Sequence, residues 1–229
     1  MDYGFVQERA REIRARVEAA CRRVGRDPAG VRIVAVTKTA SPDVLPALHA
    51  AGIRDVGENR WQIARDKLQH EAAALFEWHF IGTLQTNKVK YVVPRFGWVH
   101  SLDRAELARA LSQEAVRRGV TVQVLIQVNV SGETQKHGVA PEEAEALLRL
   151  ARELPGLSVR GLMTMAPAVD DPEAARPVFA ALRELRDELQ SRLSLEGLSD
   201  LSMGMSDDFE VAVEEGATLV RIGRKLVNP

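Results

Sequence analysis

Lys38 closes the apolar run Val34, Ala35, Val36 and Thr37 in a chain of 229 residues. A lysine delivered at the end of a buried strand has its ammonium partly withdrawn from water, which lowers its pKa and favours the neutral amine. Such an amine attacks aldehydes and forms a Schiff base. The competing reading is a lysine whose stem packs on a rim while its head reaches solvent. Polar residues follow the other apolar runs in the same way. Asn59 comes directly after Glu58, and Gln85, Thr86, Asn87 and Lys88 follow the run that ends near Gly82. Asn129 and Ser131, and later Lys136 and His137, follow another. Ser206 sits in a turn with Gly204 and Met205 ahead of a helical stretch at 207–215, so its hydroxyl and the first free N–H groups suit a phosphate. Gly223 lets another group approach its backbone closely. Asp207 and Asp208 would repel an anion if turned inward, so they are expected to face outward and cap the helix.

Arg221 shares a strand face with Gly223 by period-two spacing and points either toward a ligand or into the interior. An unpaired buried guanidinium is costly, so it needs an acceptor. A pyridine nitrogen is one possibility and a buried carboxylate such as Glu58 is another. Arginine does not give up its proton, so a pyridine facing it stays unprotonated and is a weak electron sink.

These residues need a scaffold that brings the ends of many strands together. Eight apolar runs, at 31–37, 55–58, 78–82, 98–102, 121–128, 159–165, 200–204 and 218–222, alternate with helical patterns such as 43–51, 104–118, 141–152 and 172–193. Alternation of this kind defines an α/β protein with a parallel sheet. Eight strands of mostly Val, Ile and Leu point to a single (β/α)8 TIM-type barrel over 1–229, with an extra N-terminal helix at 6–24. In such a barrel the residues just past each strand form the active face. Pro42, Pro141 and Pro172 stand where helices should begin, and Gly52 and Gly119 where they should end.

Composition narrows the partners. A net charge of -1 gives no electrostatic case for nucleic acid or an anionic membrane. No segment approaches the ~20 apolar residues of a membrane span, and the amino terminus has no secretory apolar run. Cys21 is the only cysteine, which suits a reducing, cytoplasmic setting. The histidines, His49, His70, His79, His100 and His137, lack metal-ligand spacing, and His79 reads as a hydrogen-bonded packing residue or one beneath a ligand. No dinucleotide or Walker loop is present.

The strings VAVTK (34–38), GEN (57–59), WHFIG (78–82), LQTNK (84–88), IQVN (126–129), GLM (161–163), LSMGMSDD (201–208) and VRIG (220–223) together resemble the pyridoxal 5'-phosphate (PLP) homeostasis proteins. The likeness runs from the first strand to the last. It implies the barrel of alanine racemase and fold-type III decarboxylases, with PLP as cofactor and a role in vitamin B6 and amino-acid balance. It also implies Lys38 as the Schiff-base lysine, Ser206 with the backbone of Gly223 and Arg224 as the phosphate site, and Arg221 as the pyridine partner. Asn59 would lie near the phenolic oxygen, and Lys136 would be a loop lysine that receives or releases PLP. Ala40 departs from the second lysine that many relatives carry there.

A carrier that holds PLP and hands it transiently to apo-enzymes is the favoured reading, with a monomer expected. The alternative is a PLP-dependent racemase or decarboxylase-like enzyme. Racemisation needs an acid-base group on each face of the substrate carbon, and Tyr3 and Tyr91, the only tyrosines, are not expected at a barrel top. A Schiff-base aldolase is the third reading, and its lysine would more commonly come from a middle strand.

Overall fold

The computed structural model describes residues 3–133 and 137–228. Its strands are β1 (Arg32–Val36), β2 (Asp55–Glu58), β3 (Glu77–Phe80), β4 (Trp98–Leu102), β5 (Val122–Gln127), β6 (Leu157–Met163), β7 (Asp200–Met205) and β8 (Leu219–Ile222). They run parallel in chain order and close where β1 pairs with β8, Val34 against Arg221 and Ala35 against Ile222. Closure removes every sheet edge. The helices are α1 (Val6–Arg23), α2 (Val44–Ala50), α3 (Trp61–Lys67), α4 (Val89–Val92), α5 (Ala105–Arg118), α6 (Ala144–Glu153), α7 (Arg176–Arg192), α8 (Phe209–Glu214) and α9 (Arg224–Val227).

The α1 helix forms because Val6, Ala10, Ile13, Val17 and Ala20 recur at three- and four-residue spacing and are all buried. It lies against α8, α9 and α2, over the side of the barrel where β1 meets β8. Arg16 reaches Glu210 at 2.6 Å and Arg23 reaches Glu214 at 2.5 Å, tying α1 to α8. Gly119 ends α5 with φ 65°, and Gly52 follows α2 with φ 74°, both left-handed and suited to glycine. Pro141 and Pro172 open single 3-10 turns that lead into α6 and α7.

Side chains alternate across each strand. Those facing the helices build the large outer core. The barrel interior holds a small apolar cluster, Val34, Trp98, Leu125, Met163 and Leu219. The rest of that interior is unusually polar, because His79, His100, Ser202 and Arg221 are buried there alongside Asp55.

Candidate functional site

The register brings most of the candidate residues to one arc of the rim. Val36 pairs with Gly57 and Ala35 with Ile222, so on three adjacent strands Asn59 stands level with Lys38 and Gly223 two residues lower, beside Val36. Met205 pairs with Arg221, so Ser206 joins them from β7. The arc therefore runs β7, β8, β1, β2.

Lys38 is exposed and makes no hydrogen bond or ion pair to any described residue. The desolvated cavity expected around it is not formed, and the rim-and-solvent reading describes its position. The reason is local: buried Thr37 makes the last contact to the neighbouring strand, its N–H donating to Gly57 O at 3.2 Å, and Lys38 is the first residue beyond it. Asn59 is half-buried, and its Oδ1 has no partner among the described residues. Its backbone is fixed from below, since a Cβ on Gly82 would lie 2.2 Å from Asn59 O.

Ser206 is buried, and its hydroxyl likewise has no described partner. A Cβ on Gly223 would make ordinary van der Waals contact with Val36, at 3.5 Å, without a clash. Arg224 is exposed and pairs with Asp207, which also lies 3.4 Å from Lys225 Nζ. The expectation that both aspartates face outward holds only for Asp207. Asp208 turns inward, is 6% exposed, and accepts the Met205 N–H at 2.6 Å instead of capping α8. The helix is accordingly shorter than the stretch 207–215 and begins at Phe209. Burial pushes the Asp208 carboxyl above the usual range, against the opposing pull of the Met205 N–H and the Arg221 charge. Lys136 lies outside the described residues.

Arg221 points into the barrel and is 4% exposed. Its Nη1 donates to Ser202 Oγ at 2.6 Å and its Nη2 to Thr164 O at 3.0 Å. Glu58 is not its partner. That carboxylate sits outside the chain of interior contacts, accepting from Thr37 Oγ1 at 2.5 Å and from Lys67 Nζ at 3.0 Å. Burial lowers the Arg221 guanidinium to about 10, with the Asp208 charge opposing, and at neutral pH it stays a cation.

Three more side chains extend this contact across the interior. Ser202 Oγ meets His100 Nδ1 at 2.8 Å, His100 Nε2 meets His79 Nδ1 at 2.9 Å, and His79 Nε2 meets Asp55 Oδ1 at 3.0 Å. Arg32 also donates to Asp55, at the amino ends of β1 and β2. Burial holds both imidazoles below the usual histidine range, most strongly His100, so both are neutral near pH 7. The histidines lack metal-ligand spacing in the sequence, and the fold brings two of them together. The signal was parity: Asp55, His79, His100, Ser202 and Arg221 all sit on inward positions, which only the register makes visible. Among the described residues no group of three His, Cys, Asp or Glu side chains is placed to hold a metal ion.

Tyr3 also differs from expectation. Its hydroxyl lies on the Lys38 side of the barrel, accepting the Ser41 N–H at 2.9 Å in the loop that Lys38 opens. Tyr91 is exposed and stacks on Trp61 with ring centroids 5.5 Å apart.

An unpaired amine, an unpaired hydroxyl and a glycine without a side chain along one arc, above a buried guanidinium, suit an aldehyde, a phosphate and a heteroaromatic ring. With the closed parallel barrel they define the class: residues 9–227 match the family model for the alanine racemase N-terminal domain. Within that class the chain is 46% identical over 219 residues to the pyridoxal phosphate homeostasis protein of Aquifex aeolicus, covering 96% of each. It is 43% identical to that of Pseudomonas aeruginosa, over 96% of this chain and 94% of the relative. The chain belongs to the pyridoxal phosphate homeostasis protein family. The solved structure of PipY from Synechococcus elongatus PCC7942 with PLP bound is 33% identical and superposes with a TM-score of 0.85, over 97% of this chain and 100% of that one.

Proposed function

We propose that this chain binds PLP as a Schiff base on Lys38 and acts in PLP homeostasis as a reversible carrier. The observation that carries this is the shared rim arc, where the Lys38 and Ser206 side chains stand near Gly223 without partners that would have to be displaced. When bound, PLP supplies an aldehyde that an amine can capture and release. Ser206 donates its hydroxyl to the phosphate, with the backbone of Gly223 and Arg224 beside it. Arg221 presents N–H groups to the ring, and Asn59 faces the ring's oxygen substituent. Exposure of Lys38 suits exchange with other proteins, because the amine is reached from solvent. The family name and the PLP in the PipY structure support the same reading.

The working unit in this reading is one barrel over 1–229, monomeric and cytoplasmic, that meets PLP-dependent apo-enzymes transiently. No described helix is long and apolar enough to cross a membrane. Efficient racemisation is not part of the proposal: it needs a second acid-base group opposite the lysine, and the Tyr3 hydroxyl is held by Ser41 while Tyr91 is stacked on Trp61.

The test is a visible absorption spectrum of the protein incubated with PLP, before and after borohydride, beside Lys38→Ala. A visible band that borohydride abolishes, with label fixed on Lys38, is expected. A wild type that stays colourless refutes the proposal and moves the aldolase reading ahead. Racemase or decarboxylase turnover at enzyme-like rates would overturn the carrier role.

A further inference from the structure

The interior contacts have a direction. Arg221 can only donate, so Ser202 Oγ accepts from it at 2.6 Å. The Ser202 proton then goes to His100 Nδ1 at 2.8 Å, which places the His100 proton on Nε2. That N–H donates to His79 Nδ1 at 2.9 Å, and His79 donates from Nε2 to the Asp55 carboxylate at 3.0 Å. Reversing the chain would set an unprotonated His79 Nε2 against the Asp55 carboxylate, with only Arg32 Nη2 3.5 Å away to donate to it, and would leave the Ser202 proton with no acceptor. With both rings neutral, one arrangement alone gives each atom a partner of the right kind.

Barrels of this kind usually fill their interiors with branched apolar residues. Burying two imidazoles, a carboxylate and a guanidinium there costs stability unless all are satisfied, and a satisfied network rigidifies its members. The gain falls at Arg221. Its direct partners, Ser202 Oγ and Thr164 O, are neutral; the carboxylate whose charge acts on it is Asp208, while Asp55 at the far end of the chain is paired with Arg32.

We infer that Asp55, His79, His100 and Ser202 form a positioning device that fixes the Arg221 guanidinium toward the ring of bound PLP, an inference that rests on the function proposed above. Held by Ser202 and Thr164, Arg221 is not free to swing toward the inward Asp208 carboxylate. The ring therefore meets a guanidinium whose orientation is set from beneath. His79 and His100 touch no ligand themselves and act through Arg221.

Two measurements test this. Nitrogen NMR of the ligand-free protein with 15N-labelled imidazoles is expected to show His79 and His100 both neutral, each with its proton on Nε2. Either ring protonated on Nδ1 breaks the direction and overturns the inference, without bearing on PLP binding. The second measurement loads PLP carrying 15N in its ring into wild type, His100→Leu and Ser202→Ala. The ring resonance is expected to move in both variants, with PLP bound about tenfold more weakly, or ~1.4 kcal/mol. A merely structural role would lower the melting temperature of both forms and leave that resonance in place, which refutes the device. A wild type that takes up no PLP refutes the functional proposal instead, and the imidazole spectrum still decides the direction of the chain.

Discussion

Lys67 and Glu58 form an ion pair at 3.0 Å beneath the strand end that carries Asn59, with their side chains 3% and 0% exposed. The same Glu58 oxygen accepts from Thr37, the residue before Lys38, at 2.5 Å. One α3 lysine therefore supports two rim residues through a single carboxylate. Removing one partner of such a pair strands a buried charge, which typically costs about 3–5 kcal/mol. Lys67→Met is expected to fall in that range by denaturant unfolding, and Glu58→Gln combined with it to recover part of the loss. A single variant within about 0.5 kcal/mol of wild type would show that the pair is not a net support.

The proposed contact of Ser206 with the phosphate can be tested apart from the rest of the ligand. Ser206→Ala is expected to weaken PLP about tenfold, the scale of a hydrogen bond to a charged group. Pyridoxal, which lacks the phosphate, should bind wild type and variant alike. Fluorescence titration of both ligands decides it, and an equal loss for the two would move the phosphate elsewhere.

The interior histidines set an acid limb of stability. Both have folded values pushed below the ordinary ~6.5 by burial, so on unfolding they take up protons once the pH drops through that region. Stability is therefore full above ~6.5 and is lost as pH falls below it. In Asp55 burial raises the carboxyl, but the hydrogen bonds from His79 and Arg32 outweigh it and leave it low. Its contribution is lost only as pH falls below ~3.9. Asp208, held above its usual range, has the opposite sign and regains stability as the pH falls through the carboxylate region. Melting temperatures from pH 7.5 down to about 5.5 should decline in wild type and decline less in His100→Gln. An identical slope in the two proteins would contradict this account.

Two glycines of the rim make a contrasting pair. A Cβ on Gly82 would meet backbone 2.2 Å away at Asn59 O, whereas one on Gly223 meets nothing closer than 3.5 Å. Gly82→Ala is expected to destabilise by about 1–3 kcal/mol or more, as overpacking does. Gly223→Ala should cost less stability and yet weaken PLP, because the new methyl occupies ligand space. Thermal shift measured with and without PLP separates the two, and equal behaviour would remove Gly223 from the phosphate site.

Much of the architecture was legible from residue order. The spans of β2 and β4 coincide with the apolar runs at 55–58 and 98–102, because turn-forming or charged residues bracket them on both sides. Lys38, Asn59, Ser206 and Gly223 were visible as polar or small residues just past strands, where any parallel barrel concentrates chemistry. Lys67 was not, since a lysine in a short amphipathic helix reads as solvated until a buried carboxylate is found opposite. Asp208 was misjudged because an aspartate next to a helix start looks like a cap, and only the packed turn shows its carboxyl taking the Met205 N–H. The contact of His79 with His100 depends on the stagger between β3 and β4, which spacing along one strand does not encode.

Barrel closure has a consequence for when the site can exist. Lys38 leaves the first strand and Gly223 the last, and the two strands are neighbours only through the seam between β1 and β8. During synthesis the lysine leaves the ribosome before β8 does and must wait for it. In the proposed site, a product without β8 offers a bare amine with no glycine beside it, and stable retention of the ligand would report that the seam between β1 and β8 has closed.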